Sequence, residues 1–281
     1  MADLPKEDKK EDLQKENNEE MPKQLAENLQ KAFEGKLYDE VIQLCNDYNP
    51  KDCTNKLLKY SLYENMGLAS YRKGDYENAK IYFKECLVID ANSWIMHYHV
   101  GLCELLVKER SESEAFKEFN LCLQIRPEAI CAIVNKSFLL NIQNKEDETI
   151  SFLKQYKDKY PIVLRNYAYA CLKKNQILDG IESIRKCINY FPYEYQNWMI
   201  WGKLLKSKYL WEEALEKYQI ALKLLSKKPI DNVPSENIDP SAESIYSGKE
   251  EEMRIKKKCD KLEDMIRLSK DKKSKSCCIT I

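Results

Sequence analysis

The amino-acid sequence predicts an all-α protein built from stacked helix pairs, and three observations carry that reading. The 281 residues include only 7 Gly and 9 Pro, too few turn formers for a sandwich, barrel or propeller. Hydrophobic residues make up 43% and charged residues 33%, a mixture that fills a core and still leaves a solvated surface. Small residues recur at Gly67, Gly101, Ser137, Ala168 and Gly202, which are 34, 36, 31 and 34 positions apart. That period is the length of one helix-turn-helix unit, and stacked units grow a core by addition rather than as one globule.

Taken in order, residues 1–21 are a mixed Lys/Glu tract with almost no apolar content. Such a tract does not offset the entropy of ordering, so a disordered charged arm is expected. It lacks the apolar core of a secretory signal, and no run approaches the roughly 18 apolar residues of a spanning helix. The repeat array is placed at residues 22–228. Its first unit is weak, with Leu29 at the small position and Val41, Cys45 and Tyr48 in the second helix. Gly67 leads to Ala79, Phe83, Cys86 and Ala91. Gly101 leads to Ala115, Phe119, Cys122 and Pro127, with two extra residues in the turn within LVKERSESE. Ser137 leads to Thr149, Leu153, Tyr156 and Pro161, Ala168 to Gly180, Ile184, Cys187 and Pro192, and Gly202 to Ala214, Tyr218 and Ala221.

The residue types follow from packing. A small side chain in each first helix lets the second helix approach, and an aromatic plugs the space left by the close crossing. Pro127, Pro161 and Pro192 are expected to end the second helices. Beyond the array, residues 229–247 combine three prolines with acidic and serine residues and read as a linker. Residues 248–270 place Ile255, Cys259, Leu262 and Ile266 at spacings of 4, 3 and 4, one apolar stripe on a helix that could cap the last repeat. Residues 271–281 form a basic tail.

The spacing matches the tetratricopeptide pattern W-x2-L-G-x2-Y, A-x3-F, P. It is fullest in YENMGLASYRKGDYENAKIYFKECLVIDAN and WMIWGKLLKSKYLWEEALEKYQIALKLL, with Tyr63 and Trp198 as first aromatics. The chain therefore resembles a tetratricopeptide repeat protein. The resemblance implies a right-handed superhelical solenoid of about six repeats plus a C-terminal helix. It also implies a concave groove lined by the first helices. Carried over by position, the groove residues are Leu68, Tyr71, Arg72, Tyr98, Leu102, Leu105, Val134, Phe138, Arg165 and Tyr169, beside Glu64, Leu106, Asn141, Ile142, Leu172 and Lys173. An apolar, aromatic centre fits a helix or extended peptide of a protein partner. The alternatives are tight packing of neighbouring first helices, or occupancy by the chain's own C-terminal helix. The family's carboxylate clamp for chaperone tails is disfavoured, since Glu64 and Leu68 replace its first pair and His99 its next Asn.

The final residues Cys278, Ile279, Thr280 and Ile281 resemble a C-a-a-X prenylation box, with Thr280 less apolar than that pattern prefers. One lipid chain binds a membrane marginally. Two further signals are present: Cys277 as a palmitoylation site, and Arg267, Lys270, Lys272, Lys273 and Lys275 against Asp271 for an anionic cytosolic leaflet. The alternative is a basic tail without lipid.

Other chemistry finds little support. Eleven cysteines without a signal peptide point to reduced thiols in the cytoplasm. Cys86, Cys122 and Cys187 share one small second-helix position, where packing accounts for them. His97 and His99, two apart, do not share a helix face, so no metal site is expected. There is no glycine-rich phosphate loop and no Gly-x-Ser-x-Gly, and Glu212 and Glu213 read as solvated surface. EYQNWMIWGKLL faintly resembles a repeat of prenyltransferase alpha subunits, but Trp201 and Gly202 replace the arginines of that unit. With 46 basic against 46 acidic residues, no global charge draws the chain to nucleic acid. The expectation is a non-enzymatic scaffold or adaptor without cofactor or small-molecule substrate. Its groove binds a protein and its prenylated tail holds it peripherally at a cytosolic membrane face. The alternative is a soluble adaptor or co-chaperone.

Overall fold

The computed structural model describes residues 21–226, 253–264 and 266–267. The expected arm before Met21, the expected 229–247 linker, residues 248–252 and 268–270 of the expected C-terminal helix, and the tail with Cys277 and Cys278 lie outside the described residues. The chain divides into two compact units, one ending at Ala132 and one starting at Ile133. Among the described residues every regular element is helical, and no helix is long and apolar enough to cross a membrane.

The first unit holds three helix pairs: α1 (Lys23–Glu34) with α2 (Tyr38–Asp47), α3 (Lys56–Lys73) with α4 (Tyr76–Ile89), and α5 (Trp94–Leu106) with α6 (Glu112–Ile125). Helix α7 (Ile130–Ile142) starts just before the boundary and runs into the second unit. That unit continues with α8 (Glu146–Lys154), a 3-10 turn at Pro161–Val163, α9 (Leu164–Lys173), α10 (Ile177–Tyr190), α11 (Tyr195–Ser207) and α12 (Trp211–Ser226). Residues 253–264 form α13. The fold is all-α, in six successive pairs and a further helix among the described residues.

The recurring small residues act as the packing argument requires. A Cβ on Gly67 would lie 2.5 Å from the Phe83 ring, and one on Gly101 or Gly202 would lie 2.7 Å from Phe119 or Tyr218. Each second-helix aromatic thus packs directly against a bare backbone in the first helix, and Phe83 and Phe119 have no exposed surface. Ser137 and Ala168 occupy the same place in the degenerate repeats and are fully buried.

Pairing within repeats rests on one repeated turn. Lys36, Gly74, Asn144, Asn175 and Tyr209 all have positive φ, between 55° and 87°. The next amide reaches back five residues in every case: Leu37 to Ala32, Asp75 to Ser70, Lys145 to Leu140, Gln176 to Cys171 and Leu210 to Leu205, at 2.8–3.1 Å. This is the Schellman closure, which satisfies a carbonyl left open at the helix end. The α5–α6 turn departs from it because it carries the two extra residues. Val107 stays extended and the Ser111 amide bonds Glu104 instead, at 3.0 Å. The Asn55, Asp75 and Ser111 side chains cap α3, α4 and α6 by accepting amide hydrogens in the first turn.

The three prolines do not act alike. Pro127 and Pro192 follow the ends of α6 and α10 by two residues, as expected. Pro161 does not end α8, which stops at Lys154; it opens the 3-10 turn before α9. Its fixed φ and missing N–H suit a first helical position, where no amide partner is required.

The last helix completes the second unit. Ile255, Cys259 and Leu262 of α13 enter one core with Tyr195, Met199 and Leu205 of α11 and with Ala214, Tyr218 and Ala221 of α12. A terminal repeat otherwise exposes one side of its core, and α13 covers it.

Candidate functional site

The residues assigned to the groove lie on α3, α5, α7 and α9, the first helices of four repeats. In the first unit they surround a cluster of rings. The His99 ring stacks on Phe83 at 4.8 Å between centroids and lies 5.4 Å from Tyr98 and 6.3 Å from Tyr71. Tyr71 in turn meets Tyr76 edge-on at 5.4 Å. Tyr71, Tyr98, Leu68, Leu105 and Leu106 are half-buried, so each offers part of its apolar surface to solvent. Arg72 lies over the Phe33 ring, 5.3 Å from its centroid, and is exposed. Leu102, however, is only 3% exposed and belongs to the core. Burial pushes the half-buried Glu64 carboxyl above its usual range.

His99 is a participant that the offsets from the small residues do not select. Its Nδ1 is buried and has no hydrogen-bond partner among the described residues, and burial lowers its pKa to about 4. The ring is therefore neutral at physiological pH and serves as an aromatic. His97 points elsewhere: Nδ1 lies 2.7 Å from Glu118 Oε2 and Nε2 lies 3.1 Å from the Ala91 carbonyl. The two histidines do not converge, in keeping with their spacing. No group of three His, Cys, Asp or Glu side chains among the described residues could hold a metal ion. Burial raises the thiols of Cys45, Cys86, Cys103 and Cys122 to about 12, and those of Cys171 and Cys187 to about 11. Those six thiols stay protonated at neutral pH.

In the second unit the face is arranged around a buried amide network. Asn166 Nδ2 donates to the Val134 carbonyl at 3.1 Å and to Ser137 Oγ at 2.8 Å, while Asn141 Nδ2 donates to the Asn166 carbonyl at 3.0 Å. Ser137 Oγ also donates to the Val134 carbonyl. These bonds lock α7 to α9 in one register, since each buried polar group is costly unless paired. Val134, whose carbonyl takes part in this network, is only 3% exposed. Asn141 is buried in the same network. Phe138, Arg165, Tyr169 and Leu172 are half-buried, and Ile142 and Lys173 exposed.

Tyr169 sits between two ammonium groups. Lys173 Nζ is 5.9 Å and Lys203 Nζ 5.5 Å from its ring centroid, within the range of cation–π attraction. Lys203 stands one residue after Gly202. Extended to the last repeat, the offset that selects Tyr169 after Ala168 selects Lys203 after Gly202, and the offset that selects Leu172 selects Lys206, so their placement was within reach of the sequence.

Residues 60–93 match the tetratricopeptide repeat family. That stretch holds most of α3, all of α4 and the Gly67–Phe83 crossing. No curated protein matches the chain in sequence. Solved structures of similar fold include MamA from Desulfovibrio magneticus, at 21% identity and TM-score 0.53 over 60% of this chain and 97% of that one. A tetratricopeptide repeat protein of Parabacteroides merdae aligns at 15% identity and TM-score 0.53 over 72% and 92%. The C-terminal part of a repeat protein of Cytophaga hutchinsonii aligns at 12% and 0.55 over 70% and 78%. At these identities the likeness is one of fold, and the fold is the all-α tetratricopeptide type.

Proposed function

We propose that this protein is a non-enzymatic scaffold that receives a helical or extended segment of a partner protein on the faces of its first helices. The observation that carries the reading is the set of half-buried apolar and aromatic side chains on one face of those helices. Tyr71, Tyr98 and Leu105 supply it in the first unit, and Phe138, Tyr169 and Leu172 in the second. Side chains held by packing on one side and open on the other are pre-organised anchors for a peptide, because little conformational entropy is left to lose on binding. Leu102 and Val134, being buried, are omitted from the docking surface.

The scaffold is further proposed to be held at a cytosolic membrane face through its tail. Cys278, Ile279, Thr280 and Ile281 resemble a prenylation box with Cys278 as the acceptor. The neighbouring cations and Cys277 supply the second signal that a single lipid chain needs. The support for this part is the sequence.

Two measurements test the proposal. Tyr98→Ala with Phe138→Ala is expected to lose partners that the parent protein retains in affinity capture, with helicity and membrane pelleting unchanged; recovery of the same partners would remove the faces from the reading. The intact mass from eukaryotic cells is expected to show an isoprenyl group and a methyl ester with three residues removed. Cys278→Ser is expected to shift the protein to the soluble fraction. An unmodified mass leaves the scaffold and removes the tether.

A further inference from the structure

Two acids on the first helices of the first unit meet different surroundings. Glu104 of α5 is 7% exposed, and α4 supplies it with two cations, Lys80 Nζ at 3.5 Å and Lys84 Nζ at 3.6 Å. Glu64 of α3 is half-buried, yet among the described residues no cation compensates it, and burial alone raises its pKa. A carboxylate drawn partly out of water without a counter-charge works against folding. The stability of the repeat therefore gives no reason for an acid at this position.

The cations of the neighbouring first helices are distant or engaged. Lys56 and Arg72 stand eight residues to either side of Glu64 on α3, about 12 Å along the helix axis, and Arg72 lies over the Phe33 ring. Lys59 Nζ donates to the Lys51 carbonyl at 3.1 Å, and Lys73 pairs with Asp39. Helix α5 contains no Lys or Arg, and burial keeps its His99 neutral. On α1 the positions equivalent to Glu64, Leu68, Tyr71 and Arg72 hold Ala26, Gln30, Phe33 and Glu34. Glu64, Leu68 and Tyr71 fall at i, i+4 and i+7 of α3, one helix face, and Tyr98 takes the same offset as Glu64 on the next first helix. Leu68, Tyr71 and Tyr98 are half-buried, so the uncompensated carboxylate shares its face with apolar and aromatic anchors.

Resting on the scaffold reading, we infer that the first-helix face of the first unit is selective for a partner segment with a basic side chain among its apolar ones. The ammonium or guanidinium group meets Glu64, while flanking apolar side chains lie on Leu68, Tyr71 and Tyr98. The partner then supplies the counter-charge that the chain itself withholds, and a penalty on folding becomes a gain on binding. An acidic residue at the same place would set like charges together, so the face rejects it.

The test uses the full chain and fluorescein-labelled peptides Leu-Gln-Gln-Leu-X-Gln-Leu-Gln-Gln, with X as Lys, Gln or Glu, followed by anisotropy. The Lys probe is expected to bind about fivefold or more tightly than the Gln probe, and the Glu probe to bind least. Added salt is expected to narrow the difference. Glu64→Gln is expected to make the Lys and Gln probes equal while its thermal midpoint stays at or above that of the parent, and Glu64→Lys to favour the Glu probe. Equal binding of the Lys and Gln probes by the parent overturns basic selectivity and leaves the scaffold reading standing. That reading fails separately, through Tyr98→Ala with Phe138→Ala. A Lys preference that survives Glu64→Gln overturns the inference, because another group then reads the charge. A midpoint lowered by several degrees in Glu64→Gln also overturns it, since the carboxylate is then part of the fold. So does a failure of every probe to bind, or binding only once Lys270, Lys272, Lys273 and Lys275 are replaced by Gln, because the chain's own tail is then the occupant.

Discussion

His99 shows how one side chain is set by its surroundings more than by its type. Its ring is stacked on Phe83 and flanked by Tyr71 and Tyr98, and burial holds its pKa near 4 against 6.5 for a free imidazole. In the unfolded chain the ring takes up a proton near pH 6.5, whereas in the folded chain it does so only near pH 4. The unfolded state therefore binds more protons between these limits, and stability falls as the pH drops through that window, being fully present above it. His99→Phe keeps an aromatic on Phe83 and is expected to flatten this part of the pH dependence. Urea midpoints at pH 7 and pH 5 measure it, and a parent-like slope in the variant would place the titration elsewhere. The same scale marks where sequence reasoning stopped. Gly67, Gly101 and Gly202 were legible because a bare Cα against a ring is a requirement local to one helix pair. Asn166 was not, because its partners Val134 and Ser137 lie about thirty residues away, and nothing in its own neighbourhood of sequence announces them.

At the scale of elements the repeated turn is the unit of construction. Five of the six within-pair turns close through a left-handed residue and an amide reaching back five residues, but only one of those five positions is glycine. Asn144 and Asn175 tolerate positive φ through their short polar side chains, whereas Lys36 and Tyr209 adopt it at a cost offset by the packing of the pair. Gly74, at φ 87°, has nothing within 4 Å of where a Cβ would lie. Gly74→Ala therefore meets no clash, and its cost is the backbone conformation alone, about 1–2 kcal/mol. Chemical denaturation is expected to show that loss with circular dichroism unchanged, and an unaltered midpoint would mean that the turn relaxes out of the left-handed region. The helices and their pairing were legible from periodicity. The end of α8 was not, because Pro161 reads equally as a stop for one helix or a start for the next.

For the whole molecule, stability is gathered by neighbours in sequence order, so a weakness at one end is expected to stay there. Leu262 of α13 is buried in the core shared with α11 and α12, and Leu262→Ala is expected to cost about 2–5 kcal/mol by leaving a cavity. Hydrogen exchange is the direct readout. Amides of α11 and α12 should exchange faster while those of α3 to α5 keep their protection, and uniform loss across both units would show a single cooperative block instead.

The sequence by itself determined the all-α class, the six helix pairs, the crossings of small residues with aromatics, and the apolar stripe of the last helix. Each depends on spacing along a helix or across one turn, and such spacing is a property of the chain's local geometry. Only the tertiary structure decided that Leu102 and Val134 belong to the interior. It alone tied α7 to α9 through Asn166, left His99 neutral within a ring cluster, and brought Lys203 of one repeat to Tyr169 of another. Those outcomes depend on how closely one helix approaches the next, a distance set by the joint packing of side chains remote in sequence and not encoded at any one position.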